Sequence, residues 1–147
     1  MENFMVNLLP QVACMAIALI GETHGTNNIE LTHGVGYVIM NRAEYNVNRI
    51  CDVTEAPYQF DGVKKVMTGK YVIDEKTLLK YELISLQIMN KQVTNPIGHA
   101  KYFHDDRVKP FWAFTKKKLT RIENVTFYWL AYCRNQPPYA TRFNKSL

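Results

Sequence analysis

Val12-Ala-Cys-Met-Ala-Ile-Ala-Leu-Ile20 runs directly into Gly21-Glu22-Thr23-His24-Gly25-Thr26-Asn27-Asn28. An apolar run, then a carboxyl, then a loop rich in Gly, Thr and Asn, describes a core helix that delivers an acid to the rim of a cleft. A carboxyl packed on one side by apolar groups and open on the other has its charged form disfavoured, so its pKa is expected to rise. A general acid needs that property if it must still hold a proton near neutral pH. The plainer alternative is an exposed Glu just beyond a helix end, since a perturbed acid is a clue to function and not a proof.

The remaining chain suits one domain spanning 1–147, with a polar, Pro-containing tail from about residue 135. An apolar fraction of 47% and an aromatic fraction of 12% exclude a disordered chain. The net charge of +5 suits an anionic partner: nucleic acid, a membrane surface or an acidic wall polymer. Cys14, Cys51 and Cys133 are widely spaced and form no CxxC pair. They predict free thiols in a reducing cytoplasm, with neither a disulfide framework nor a zinc ribbon. Pro10 interrupts the N-terminal apolar stretch, and Met1-Glu2-Asn3 carries no positive charge. The segment therefore reads as a core helix and not as a signal or a membrane span.

Apolar spacing predicts a first helix from about Leu8 to Gly21, with Pro10 in its first turn, and a second from Glu30 to Glu44. Gly34 and Gly36 within the second helix predict close approach by another backbone. A loop containing Pro57 leads into a short amphipathic piece from Val63 to Met67. Asp74 caps a helix from Glu75 to Lys91, whose core stripe reads as Leu78, Leu79, Leu83, Leu86 and Met89. Ala100–His104 and Val125–Trp129 carry the β-branched and aromatic residues of strands. The fold class is α+β, mostly α, with a small sheet in the C-terminal half.

With these elements in order, the chain resembles the SleB-like cell wall hydrolase family. The resemblance rests on Gly21-Glu22-Thr23-His24-Gly25, Val38-Ile39-Met40-Asn41-Arg42, Ile50-Cys51-Asp52-Val53, Gln59-Phe60-Asp61-Gly62 and Ala100-Lys101-Tyr102-Phe103. These follow the family's A-E-A-R-G-E, V-x-L-N-R, I-C-x-V, Q-F and A-x-Y-F patterns, and Ile122 to Tyr128 is similar to its closing strand. The similarity extends over roughly Val12 to Tyr128. His24 stands where the family usually has Arg, Thr26 where it has a second Glu, and Thr32 begins the second helix after a longer connection. The resemblance implies a lysozyme-like fold, cleavage of peptidoglycan glycan strands and Glu22 as the catalytic acid. It also implies Gln59 and Tyr102 as supporting polar groups facing the cleft, with His24 at its rim.

Cleaving the MurNAc–GlcNAc bond requires protonation of the leaving oxygen and stabilisation of an oxocarbenium-like sugar. A lytic transglycosylase lets the muramic acid 6-hydroxyl attack, so one Glu serves as acid and then as base. A hydrolytic muramidase needs a second carboxyl. Glu30, Asp52, Asp61, Asp105 and Asp106 are the candidates, each with a plainer reading as a cap, turn former or surface charge. The single-acid route is therefore expected. No HExxH is present, and the four histidines offer no metal-ligand spacing, so neither metal nor cofactor is expected.

Lys116-Lys117-Lys118 and Arg121, near Phe111, Trp112 and Phe114, suit glycan strands bearing carboxylates, a nucleic acid, or simply a solvated turn. The expected partner is peptidoglycan, with no nucleic acid, no stable membrane insertion and a monomeric state. The expected setting is a phage endolysin, cytoplasmic until a holin-type opening releases it to the periplasmic wall. The rivals are a virion-associated lysin, a catalytically silent wall-binding or virion module, and a nucleic-acid-binding protein.

Overall fold

The computed structural model describes residues 2–23, 26–56, 60–108 and 110–129. The central element is α1 (Glu2–Thr23), and Met15, Ala16, Ala18, Leu19 and Ile20 on it are all essentially inaccessible to solvent. A helix apolar on every side must be enclosed by other elements. Here these are α2 (Ile29–Arg42), α3 (Ile50–Glu55), α4 (Asp61–Met67) and α5 (Glu75–Met89). A 3₁₀ turn over Val47–Arg49 leads into α3, and another over Phe111–Phe114 precedes the last two strands. The sheet is antiparallel in the order β1-β3-β2, from β1 (Tyr102–Asp105), β2 (Lys117–Ile122) and β3 (Val125–Trp129). Phe103 and Phe127 from the sheet meet Val35, Val38 and Ile39 of α2 in one core. This is the α+β, mostly α, lysozyme-like architecture expected. None of the described helices is long and apolar enough to cross a membrane. The proposed tail from about residue 135 lies outside the described residues.

Local chemistry accounts for the element ends. Asn28 accepts a hydrogen bond from Leu31 N–H (3.1 Å) to cap α2, and Asp74 does the same for α5 from Thr77 N–H (2.6 Å). The backbone bond to Thr77 holds the Asp74 carboxyl below its ordinary pKa.

Several expectations need correction. α1 begins at Glu2, so Pro10 lies inside it and not in its first turn; no Gly or Pro upstream stops the helix earlier. Gly34 and Gly36 face side chains and not a backbone. A Cβ on Gly34 would lie 3.1 Å from both Ile97 and Phe127, and one on Gly36 would strike Ile88. On α5 the buried face is Tyr81, Ile84, Ser85, Ile88 and Met89, whereas Leu79 and Leu83 are more than half exposed. Two stripes on that helix satisfy the helical period, and Ser85 disguises the inward one. Its hydroxyl donates to Tyr81 O (2.7 Å), so its burial leaves the group bonded.

Cys14 and Cys51 form a disulfide between α1 and α3, against the expectation of free thiols. Spacing along the chain carries no sign of a bridge made by bringing two helices together. Gln11 reinforces that junction by accepting from Cys51 N–H (2.8 Å).

A very close backbone contact in the core joins Gly21 near the end of α1 to Gly62 in α4. A Cβ on Gly21 would sit 2.6 Å from Gly62 Cα, nearer than real atoms approach. Gly62→Ala is therefore expected to destabilise the protein by roughly 1–3 kcal/mol in urea denaturation. Ala is the better helix former by about 1 kcal/mol, so an unchanged or raised stability would contradict this packing.

Candidate active site

Gly21 leaves no side chain between α1 and α4, and the next residue, Glu22, comes off the penultimate position of α1. Its side chain is half-buried, with Oε1 withdrawn from solvent. It lines a cleft of about 150 Å³ with Thr23, Thr26, Leu31, Val35, Phe103, Asp105, Arg107, Glu123, Asn124 and Val125. Leu31, Val35, Phe103 and Val125 give it an apolar lining, and Arg107, Glu123 and Asn124 are exposed to solvent. Thr23 donates to Leu19 O (2.6 Å), and Thr32 donates to Thr23 Oγ1 (3.3 Å). The departure at Thr32 thus ties the start of α2 to the end of α1.

The sheet closes the far side. Phe103 and Asp105, two residues apart on β1, both line the cleft, as alternation along a strand requires. Tyr102 lies on the opposite face of β1, buried with Trp112 and Tyr128, and is not among the described residues lining the cleft. His24 and Gln59 lie outside the described residues. Of the residues expected to act on substrate, Glu22 alone is seen in this cleft.

Among the candidate second carboxyls, only Asp105 reaches the cleft. It is buried and held by Arg107, whose backbone N–H (2.8 Å) and Nη2 (2.6 Å) both donate to it. Asp106 pairs with Arg121, while Glu30, Asp52 and Asp61 are exposed and lie outside the cleft lining. Sequence reasoning alone misses Arg107, Glu123 and Asn124. Glu123-Asn124 forms the tight turn joining β2 and β3, with Glu123 at φ +52°. Its signal is a polar pair separating two strand-forming runs, concealed because the lysines of β2 give that strand the composition of a turn.

The basic cluster divides into separate roles. Lys117 and Lys118 are exposed on β2, an edge strand, where lysine guards against further strand pairing. Arg121 is occupied by Asp106 and by Glu123 O (2.8 Å). Lys116 turns inward, its Nζ 4.1 Å from the Tyr102 ring centroid and 5.7 Å from that of Trp112. Beside it lies the half-buried Arg42, whose Nε donates to Lys101 O (2.6 Å) and whose guanidinium stacks over Phe60 and Tyr102. Asn41 completes this end of α2 by donating to Gly98 O and Ala100 O, both at 2.9 Å. Burial brings the Arg42 pKa down to about 10. Burial, then repulsion from Arg42, brings Lys116 down to about 8. Among the described residues, one group has metal-type ligands close together, Cys14, Cys51 and Glu55, and its two sulfurs are bonded to each other.

The model of the cell wall hydrolase family matches residues 30–128. The chain therefore belongs to that family, although the matched span begins after Glu22. The solved catalytic domain of the SleB protein from Bacillus cereus is similar at 26% identity and TM-score 0.59, over 81% of this chain and 89% of that one. The catalytic domain of the germination-specific lytic transglycosylase SleB from Bacillus anthracis has the same fold, at 24% identity and TM-score 0.59, over 81% of this chain and 93% of that one. No curated protein matches the chain.

Lys116 supplies a test of the buried cation pair. Its folded pKa of about 8 lies below the ordinary 10.5, so the folded state carries the full cost of the charge below pH 8. That cost is relieved as pH rises toward 10.5. Lys116→Met is expected to be more stable than wild type at pH 7, by roughly 1 kcal/mol, because it removes an ammonium that has no hydrogen bond among the described residues. The ammonium's attraction to the Tyr102 and Trp112 rings disappears with it, which keeps the gain small. Urea denaturation at pH 7 and pH 9.5 checks this: the gap should narrow at the higher pH, and a constant gap would contradict it.

Proposed function

We propose that this member of the cell wall hydrolase family cuts the MurNAc–GlcNAc bond of peptidoglycan with Glu22 as the general acid. The observation that carries the reading is the position of Glu22, at the end of a buried helix with one oxygen withdrawn from water and its side chain in a cleft. A carboxyl there meets the leaving oxygen of a bound strand with little competing solvent. Its proton passes to that oxygen as the C1–O bond breaks and positive charge develops across C1 and the ring oxygen.

For the second step we propose the lytic transglycosylase route. The muramic acid 6-hydroxyl attacks C1, its proton returns to Glu22, and a 1,6-anhydro end forms without water. Asp105 is committed to Arg107 and is a poor nucleophile or base in that state. A hydrolytic second step is the alternative, and Glu123 favours it, as an exposed carboxyl lining the same cleft. Gln59 and His24 remain proposed substrate contacts, whereas Tyr102 is buried on the face of β1 away from this cleft. The biological setting we propose is phage-driven lysis, with the enzyme acting as a monomer on the periplasmic wall. The Cys14–Cys51 bond suits an oxidising compartment of that kind.

Glu22→Gln keeps the shape of the side chain and removes its proton. It is expected to lower lysis of outer-membrane-permeabilised Gram-negative cells by roughly 10²–10⁴-fold, with an unchanged circular dichroism spectrum. Activity within a few-fold of wild type would remove Glu22 from the mechanism.

A further inference from the structure

Arg107 lines the Glu22 cleft, and among the described residues its guanidinium is held along one edge. Nε lies 3.2 Å from Asp105 Oδ2 and 3.3 Å from Oδ1, and Nη2 lies 2.6 Å from Oδ2. The backbone N–H of Arg107 also donates to Oδ1 (2.8 Å), which fixes where the side chain begins. The Asp105 side chain is 7% exposed, whereas that of Arg107 is 81% exposed. A buried carboxylate thus orients a guanidinium whose outer edge stands in the opening of the cleft. Among the described residues, Arg107 Nη1 makes no hydrogen bond, and Asp105 is the carboxylate that pairs with the guanidinium. The hydrogen bonds it donates to Asp105, and the charge of that carboxylate, also raise the Arg107 pKa, so its charge persists at any working pH.

A planar guanidinium with an open edge matches the geometry of a carboxylate, which accepts two parallel N–H bonds. We infer that Arg107 is the specificity-determining residue of the Glu22 cleft and pairs with a carboxylate carried by the glycan strand. This rests on the proposed function. It adds a requirement for acidic strands that cleavage chemistry alone does not impose. The carboxylate has two sources in peptidoglycan, the lactyl group where no peptide is attached and the acidic residues of the stem peptide. Both present the same planar anion near the bond cleaved.

The test compares kcat and KM on three substrates: peptide-bearing strands, peptide-stripped strands with free lactyl carboxylates, and stripped strands whose carboxylates have been converted to methylamides. Removing Arg107 alone would leave the Asp105 carboxylate buried without that guanidinium, so the variant is the uncharged pair Arg107→Gln with Asp105→Asn. Arg107→Lys, which keeps the charge but loses the fork, accompanies it. The double variant is expected to raise KM about ten- to a hundredfold on at least one carboxylate-bearing substrate, with kcat within a few-fold of wild type. Arg107→Lys should fall between, and all three proteins should share one KM on the methylamide strands. The substrate on which the difference opens identifies the source of the carboxylate. Unchanged KM on all three, an equal rise on the methylamide strands, or a loss confined to kcat would overturn the assignment.

If wild type cleaves none of the three, the proposed function fails instead. Co-sedimentation of the Glu22→Gln protein with the same strands still tests the contact with Arg107. Weaker binding of carboxylate-bearing strands by Glu22→Gln carrying the double substitution supports it, and equal binding overturns it.

Discussion

The backbone contact between Gly21 and Gly62 governs the position of Glu22. Side chains between α1 and α4 would hold the two helices apart, and the carboxyl would move with the end of α1. Two glycines let the helices meet atom to atom, at the cost in helix propensity that glycine always brings. The rest of the molecule secures α1 in that position. The disulfide and Gln11 bind it to α3, and the Thr23–Thr32 hydroxyl pair binds its last turn to α2. The sheet then brings Phe103 and Asp105 against the opposite side. A catalytic carboxyl needs this rigidity, because a group misplaced by an ångström loses most of its advantage.

The molecule treats its buried charges in two ways. Asp105 is paired with one edge of the Arg107 guanidinium and leaves the outer edge for a ligand. Arg42 and Lys116 share the ring of Tyr102, and Arg42 also bonds a backbone carbonyl. The first arrangement orients a charge toward the cleft. The second puts two like charges beneath the sheet, where low polarity shifts both toward neutrality.

Legibility in the sequence follows the range of the interactions. Asp74 and Asn28 act within a few residues of themselves, and the starts of α5 and α2 are readable to within a turn, whereas α1 begins six residues before the expected Leu8. Val125–Trp129 is readable because every residue in it favours a strand. Ser85 on α5 misleads because its hydroxyl is satisfied within its own helix. β2 escapes notice because an edge strand protected by lysines has the composition of a solvated turn. In the site, Glu22 is visible because its context is local. Arg107 and Glu123 are not, since they reach the cleft only when the β2–β3 hairpin tip pairs beside the end of β1. The Gly21–Gly62 contact and the Cys14–Cys51 bridge are hidden for the same reason, 41 and 37 residues apart along the chain.

In the proposed reaction one carboxyl at the end of α1 carries both proton transfers. Mass spectrometry of the muropeptides released from purified peptidoglycan tests it most directly. The expected main product carries 1,6-anhydromuramic ends, formed without water. Reducing MurNAc ends, heavier by one water, as the main product would contradict it and would require a second group in the cleft to activate water.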